Sequence, residues 1–460
     1  MDILKFGGTS VSSKESLYNI LRILSSYNTP NESVIMVVSA LKGVTNKLTR
    51  ITELLTSQDE QYRVLFDEVK SDHSSYIEEI LPVNAQILMK NIIGLLESEY
   101  DCYLKELFEE GRIYPKDKDR ILSFGELCSA QIIKMFLEVN GKDFGFLDSR
   151  KLIVTDNNHG NAKVNWVMTR KRIGSFFQAF PGNYLISGFI GATAKGSTTT
   201  LGRGGSDYTA TVFATVLNAK SVVKYTDVNG IMTADPNKVT DSYSLDKITY
   251  GELFCLSKFG SNVLVHEDSI DRLRRERIPL VIRNTFNIDF KGTVVTEGLN
   301  AGQRAISHRK SCHLVRFEKD INISKQTLRQ IKDHGHLFFR LKNADAKDHN
   351  QSFYIVSDAC LQYFSELSLS KGNVQACNTT FHNSEILYSD IALVTVASIE
   401  KNKKLEQERV SQILHERKIE ILGTRLFQNA ISIILRSEDA RSALNCLHKE
   451  LTICQKEKVV

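Results

Sequence analysis

Short apolar strands alternate with helical periodicity over the first 300 residues of this 460-residue chain, and the rhythm then changes. That pattern predicts an α/β protein, with a mainly parallel sheet covered by helices on both faces and followed by smaller α+β modules. Three observations support it. Aliphatic runs such as Val34–Ser39 recur between longer amphipathic stretches, glycine-rich turns stand at strand ends, and the last third repeats a β-α-β-β-α order twice. A chain of this length exceeds one ordinary core, so two or three domains are expected.

The elements follow in order. Asp2–Lys5 reads as a strand that runs into Lys5-Phe6-Gly7-Gly8-Thr9-Ser10-Val11, a glycine turn leading to a helix. Val34–Ser39 is a second strand. The segment from about Leu48 to Asp119 is long, charged and helical, with Leu/Ile spacing clearest in Asn91–Phe108. Ser123-Phe124-Gly125-Glu126 then opens an amphipathic helix through Gln131 and Phe136. Strands return at Tyr184–Ser187 and Ser221–Tyr225. Between them, the hydroxyl- and glycine-rich run Thr198–Ala210 enters a helix through Val212, Val216 and Leu217. Ile278–Ile282 is a further strand.

Beyond Gly292 and Gly302 the pattern shortens. Leu314–Phe317, Leu337–Leu341 and Phe353–Val356 read as strands around a helix at Ser324–His334. The second round has strands at Ile391–Ala397, Glu420–Leu426 and Ile431–Leu435, with helices at Leu405–Lys418 and Ala440–Leu451. A single α+β domain without a repeat is the alternative.

Composition excludes several classes. The net charge is only +5, and basic residues are interleaved with acids, as in Arg272–Arg277, so nothing calls for nucleic acid. No apolar run approaches the ~18 residues that a membrane span needs, and no charged-then-apolar leader opens the chain, so a cytoplasmic location is expected. Eight cysteines without a C-x-x-C pair suggest free buried thiols, and eleven histidines without ligand spacing suggest no protein-held transition metal. The G-x-x-x-x-G-K-[ST], H-R-D and D-F-G signatures are absent, which excludes P-loop enzymes and protein kinases.

The turn after Lys5 suits an anion. Adjacent glycines bring backbone N–H groups close, Thr9 and Ser10 offer hydroxyls, and Lys5 supplies charge. A tight strand-to-helix turn beside a surface lysine is the plainer reading. Paired with Thr198-Thr199-Thr200-Leu201-Gly202-Arg203-Gly204-Gly205-Ser206-Asp207-Tyr208-Thr209-Ala210, however, the segment resembles the aspartokinases over residues 1 to about 300. The resemblance implies ATP-dependent phosphorylation of the side-chain carboxylate of L-aspartate to 4-phospho-L-aspartate, the entry step of lysine, threonine and methionine biosynthesis. It implies a three-layer amino-acid-kinase (carbamate-kinase-like) fold over residues 1–295. Tandem ferredoxin-like ACT modules would follow at 310–375, divergent, and 385–460.

By the same resemblance, Lys5 and Asp207 would be catalytic, and Gly7, Gly8, Thr9 and Ser10 would hold the transferring phosphate. Ser39, Thr45, Glu126, Arg203, Gly204, Gly205 and Ser206 would bind aspartate. Thr226, Asp227, Met232, Asn237, Lys238, Asn262 and Val263 would bind ATP, with Mg²⁺ arriving on the nucleotide. A homodimer or higher oligomer formed through the ACT-like modules is implied, with no nucleic-acid or membrane partner.

Each residue has a structural reading beside the functional one. Ser123-x-x-Glu126 is on spacing a capping box, whereas the resemblance sets Glu126 against the substrate's ammonium. Arg203 is a fork for a carboxylate or a solvated loop arginine. Ser206 and Asp207 fit an N-cap and a first-turn acid, and Asp227 after a strand suits a ribose hydroxyl or a turn. Two departures concern the nucleotide: Asn237 and Asn262 stand where the family has cations, with Lys238 and Lys258 nearby. In the last module the loop Ala397–Lys404 lacks the family's glycines and proline. A degenerate, non-catalytic ligand-binding homologue and a kinase for another small carboxylate are the alternatives.

Overall fold

The computed structural model describes residues 1–27, 33–260, 265–298, 303–317, 331, 337–341, 352–362, 384–399, 402–427 and 429–453. The chain forms two compact units, Met1–Gly230 with Asp268–Thr296, and Ile231–Glu267 with Glu297–Val460.

The strands in chain order are β1 (Asp2–Phe6), β2 (Val34–Val38), β3 (Gly145–Leu147), β4 (Val154–Thr155), β5 (Tyr184–Ser187), β6 (Ile190–Thr193), β7 (Thr198–Thr200) and β8 (Ser221–Thr226). After β9 (Lys247–Thr249), in the second unit, β10 (Leu280–Asn284) and β11 (Thr293–Thr296) return to the first. The main sheet of that unit runs β3-β5-β2-β1-β8-β10-β11, parallel up to β10, where β11 turns back antiparallel. Every residue of β2 is buried, as expected for a strand covered on both faces. A small sheet, β4-β6-β7, stands beside it. The strand expected at Ile278 begins only at Leu280, because Pro279 has no N–H for the ladder. Its carbonyl instead accepts from Val222 at 2.9 Å.

Helices α1 (Lys14–Ser25), α2 (Val44–Thr56), α3 (Gln61–Ile80), α4 (Val83–Glu110), α5 (Pro115–Val139), α6 (Trp166–Ala179) and α7 (Gly205–Leu217) complete this unit. The expected charged helical region is present as α2, α3, α4 and the start of α5. A continuous core joins β1 and β2 to all four, through Leu4, Met36, Leu48, Phe66, Met89 and Phe124 among others.

One segmentation differs from the expectation. Helix α5 starts at Pro115, not Ser123, with Tyr114 as its N-cap and Asp117 Oδ2 accepting the Tyr114 N–H at 2.8 Å. Ser123 and Glu126 lie inside the helix, where the Ser123 hydroxyl donates to the Arg120 carbonyl at 2.7 Å. The capping-box reading of Glu126 is thereby overturned, since its turn has no free N–H groups to cap.

In the second unit, β12 (Ala305–Phe317), β13 (Phe338–Leu341), β14 (Ser352–Ser357), β15 (Ser384–Ala397), β16 (Gly423–Leu426) and β17 (Ala430–Arg436) form one antiparallel sheet in the order β13-β14-β12-β15-β17-β16. Both β-rich rounds thus share a sheet, zipped together by β12 and β15. These two strands are longer than the sequence suggested, because polar residues such as His308-Arg309-Lys310 and Tyr388-Ser389-Asp390 mask the apolar pattern. The helix expected at Ser324–His334 lies, save Ile331, outside the described residues. Helix α8 (Tyr250–Phe259) packs on β12, β15 and β17, with Phe259 against Phe339 and Phe427. Helix α9 (Glu267–Glu276) leads back to the first unit. Helices α10 (Lys403–Glu416) and α11 (Ala440–His448) cover the sheet around Val410, Leu414, Leu444 and Leu447. Residues 231–267, read from sequence as part of the first domain, cluster with this sheet.

Among the described residues no helix is long and apolar enough to cross a membrane. The described cysteines are free thiols, all buried except Cys102.

Candidate active site

Strands β1 and β8 are parallel neighbours in a register that sets Lys5 beside Lys224, so both side chains leave the same face of the sheet. Helix α7 lays its first turn over them. Asp207 then sits between two ammonium groups, 2.9 Å from Lys5 Nζ and 2.7 Å from Lys224 Nζ. Burial would raise the Asp207 pKa, but Lys224 and Lys5 outweigh it and hold the carboxyl at about 2. For Lys224, burial lowers the pKa against the pull of Asp207, and the nearby Lys5 charge adds to that lowering. Two cations share one fixed anion. The cluster is therefore primed for a second negative charge.

Beside it, β1 ends on the glycine turn. The Ser10 N–H donates to the Gly7 carbonyl at 2.9 Å. A Cβ at Gly8 would lie 2.9 Å from the Ala40 carbonyl oxygen, closer than real Cβ atoms tolerate against backbone. Ser10 is fully buried, accepting from Thr285 Oγ1 at 2.7 Å and donating to the Tyr225 carbonyl at 3.4 Å. Its hydroxyl ties the turn to β8, and Gly7, Gly8 and Thr9 are the half-buried stretch of the turn. Gly8→Ala should destabilise the protein by about 1–3 kcal/mol through this overpacking. An unchanged midpoint in thermal unfolding would contradict that.

The other wall is the run before α7. Gly202 and Gly204 have φ of +76° and +70°, a left-handed geometry that ordinary side chains resist. Between them the exposed Arg203 projects, and Ser206 is buried in the first turn of α7. Together these groups enclose a cavity of about 690 Å³ lined by Lys5, Ser39, Thr45, Glu126, Arg203 and Asp207 among others. Gly204, Gly205 and Ser206 also line it.

Glu126 is the unusual member. It is 3% exposed, and its Oε2 has no hydrogen-bond partner among the described residues. Burial pushes its pKa up to about 8, despite a hydrogen bond from the Ala40 backbone and the charge of Lys5. In an empty cavity at neutral pH this carboxyl is therefore mostly neutral. It offers a place where an incoming cation would restore its charge.

Lys224, Asp119 and His159 belong to the site and escaped the sequence reading. Asp119, 1% exposed, accepts from Thr200 Oγ1 at 2.6 Å, from the Gly160 N–H at 3.0 Å and from His159 Nδ1 at 2.9 Å. Asp119, His159 and Thr200 all line the cavity. The seven-residue spacing from Asp119 to Glu126, two helical turns, was the available signal.

The nucleotide candidates are divided between the two units. Thr226 and Asp227 end β8, with Thr226 Oγ1 donating to Asp227 Oδ1 at 3.1 Å, and neither lines the cavity. Met232, Asn237 and Lys238 belong to the second unit. There Met232 bridges to Ser244, the Asn237 N–H donates to Asp235 Oδ1 at 3.0 Å, and Lys238 Nζ lies 3.4 Å from Asp235 and 2.7 Å from His308 Nε2. Asn262 and Val263 lie outside the described residues.

A family model described as the amino acid kinase family matches residues 2–284. The chain is 30% identical over 300 residues to an aspartokinase of Chlamydia muridarum, a match covering 65% of this chain and 64% of that protein. It is also 30% identical over 295 residues to a chloroplastic bifunctional aspartokinase/homoserine dehydrogenase 1 of Zea mays, covering 64% of this chain and 32% of that one. The chain thus spans less than two thirds of the length of either relative. Among solved structures, E. coli aspartokinase III in complex with aspartate and ADP superposes with a TM-score of 0.79 at 24% identity, covering 98% of this chain and 99% of that one. A Clostridium acetobutylicum aspartate kinase gives 0.67 at 20% identity, covering 98% and 99%. The expected three-layer kinase fold followed by ferredoxin-like modules is the fold found.

Proposed function

Because the chain belongs to the amino acid kinase family, we propose that it transfers the γ-phosphoryl group of ATP to the side-chain carboxylate of L-aspartate. The observation that carries this reading is the largely buried Lys5–Asp207–Lys224 cluster beside a double-glycine turn, with a buried, half-satisfied carboxyl at Glu126 in the cavity that Lys5 and Asp207 line. Phosphoryl transfer needs little covalent help. It needs two anions aligned and the charge of the transferred group spread.

Asp207 holds Lys5 in place, and Lys5 with the N–H groups of Gly7 and Gly8 faces the negative charge that develops. Glu126 binds the substrate ammonium and becomes ionised as it does so. Arg203 takes a carboxylate with its planar fork. Thr45 and Ser39 supply hydroxyls, and Ser206 supplies a helix-start hydroxyl. Mg²⁺ carried in on the nucleotide would neutralise β- and γ-phosphate oxygens. Thr226, Asp227, Met232, Asn237, Lys238, Asn262 and Val263 are proposed for the rest of ATP. Relatives named as aspartokinases support the choice of aspartate. The product, an acyl phosphate, would feed a reductive biosynthetic step in the cytoplasm.

Incubation with ATP, Mg²⁺, hydroxylamine and a panel of amino acids tests the proposal. Hydroxamate formed with aspartate alone supports it, and none with any carboxylate would favour the non-catalytic alternative. Arg203→Ala should raise the aspartate KM about 10- to 100-fold with a smaller change in kcat, as expected for loss of a charged hydrogen bond. Equal falls in kcat and kcat/KM would instead place Arg203 on the transferring group.

We further propose self-association through the second unit. Its strands carry alternating apolar positions, and β13 and β16 stand at the two sheet edges. Light scattering should report a dimer or larger, and a monomer at micromolar concentration would refute this.

A further inference from the structure

The turn after β1 and the loop after β2 touch through their backbones. A Cβ at Gly8, already pressed on the Ala40 carbonyl, would next meet Lys42 N at 3.5 Å and Lys42 Cα at 3.6 Å. Ser12 joins the same two segments. Its hydroxyl donates to the Gly8 carbonyl and accepts the Lys42 N–H at 2.6 Å. A carbonyl can only accept and an amide N–H can only donate, so the direction of both bonds is fixed. The neighbouring Ser13 has a different task, closing a capping box with Ser16 at the start of α1. Ser12 is not needed for that cap, and its hydroxyl goes to the two segments instead.

The near end of the loop is anchored separately. The Ser39 N–H donates to the Phe6 carbonyl at 3.2 Å, the Ser39 carbonyl accepts from Ser129 Oγ at 2.8 Å, and the Ala40 N–H bonds Glu126. Further along, toward Thr45 in the first turn of α2, the bond from Lys42 to Ser12 ties the loop to the turn after β1. On the other side, a held Gly8 carbonyl fixes the plane of the Gly8–Thr9 peptide, because that unit is flat. One hydroxyl thus sets the spacing between the double-glycine turn and the segment that leads to Thr45.

We propose that Ser12 is a positioning residue for phosphoryl transfer, keeping the turn that faces the γ-phosphoryl group aligned with the loop whose hydroxyls, Ser39 and Thr45, meet the acceptor. Ser39 and Thr45 line the cavity and Ser12 does not, so it acts through the backbone and touches neither reactant. Transfer needs the reacting atoms in line at about 3–3.5 Å, and a misplacement near 1 Å costs roughly a hundredfold in rate. Each half of the site keeps its own contacts when the link is cut. Binding of either reactant therefore survives while their alignment does not. The assignment rests on the aspartate kinase reading and adds to it the group that sets donor against acceptor.

Hydroxamate formation with varied L-aspartate and varied ATP gives kcat and both KM values. Ser12→Ala should lower kcat about 10- to 100-fold, while the KM values for aspartate and for ATP each change less than about threefold. Ser12→Thr restores the hydroxyl and should recover most of the lost rate. Both variants should be folded by circular dichroism, since Ser12 is half-buried and its truncation opens no core cavity. An unchanged kcat in Ser12→Ala would overturn the assignment and leave Ser12 a turn residue. A rise in either KM at constant kcat would overturn it too, by making Ser12 a binding group, and so would a threonine variant as slow as the alanine one. Wild-type protein that forms no hydroxamate with aspartate would instead overturn the parent reading, and this assignment with it.

Discussion

Replacing Lys5 by methionine is expected to lower kcat about 100- to 1,000-fold, the usual cost of removing one donor aimed at developing negative charge. The aspartate KM should change much less. Lys5 is almost wholly buried against Asp207, so its ammonium is already positioned and desolvated before the substrate arrives. It contributes most where charge is spread in the transition state, not where the ground-state carboxylate first docks. Methionine keeps the length and the packing. Lys224 remains on the other oxygen of Asp207, so the carboxylate stays ionised and the fold is expected to hold. Steady-state kinetics with hydroxamate trapping decide the matter. A variant that raises KM alone would make Lys5 a binding group.

Glu126→Gln should raise the aspartate KM about 10- to 100-fold, because the amide keeps the shape and loses the charge that an ammonium needs. Its effect on stability runs the other way. The folded-state pKa of about 8 lies above the ordinary glutamate value of 4.5. Below 4.5 both states hold the proton, and as pH rises toward 8 the unfolded chain releases it while the folded protein keeps it. Wild-type stability without ligand should therefore fall between pH 5 and 8 relative to the glutamine variant, and level off above. Aspartate affinity should move oppositely, strengthening up to pH 8 as the carboxyl ionises. Thermal unfolding across that range, together with KM against pH, measures both. Parallel profiles for the two proteins would show that Glu126 is ionised in the empty cavity.

The legible parts of the site were those whose chemistry is local in sequence. Lys5 with two glycines, and Arg203 inside a glycine run ahead of Asp207, each announce a strand end or a helix start within a few residues. The strand at Tyr184–Ser187 was read to its ends because its aliphatic run is bounded by turn residues. What escaped was non-local. Lys224 looked like one polar residue in a buried strand, and only the β1–β8 register makes it a partner of Lys5. Asp119 looked like part of a charged helix face. Its role depends on where Thr200 and Gly160 arrive, 81 and 41 residues later. The helix start was misplaced for a related reason: Ser-x-x-Glu satisfies a cap pattern anywhere in a chain, whereas the actual start uses Pro115 at N1 and an acid at Asp117. In the second unit, polar side chains on half-exposed strands hid the length of β12 and β15.

The neighbours of β1 have a consequence for biosynthesis. Strand β1 pairs with β2 on one side, but on the other with β8, and Ser221 reaches back across 219 residues to bond Asp2. At a translation rate of about 5–20 residues per second, roughly 10 to 45 seconds separate the synthesis of those two strands. Throughout that interval Lys5 waits on an open sheet edge with neither Asp207 nor Lys224 beside it. Folding of the sheet's centre is bound to be late and slow, as loop closure over such a span demands. The nascent chain should thus depend on chaperone protection more than its ordinary composition suggests, and it acquires its Lys5–Asp207–Lys224 charge cluster in the same event that closes its core.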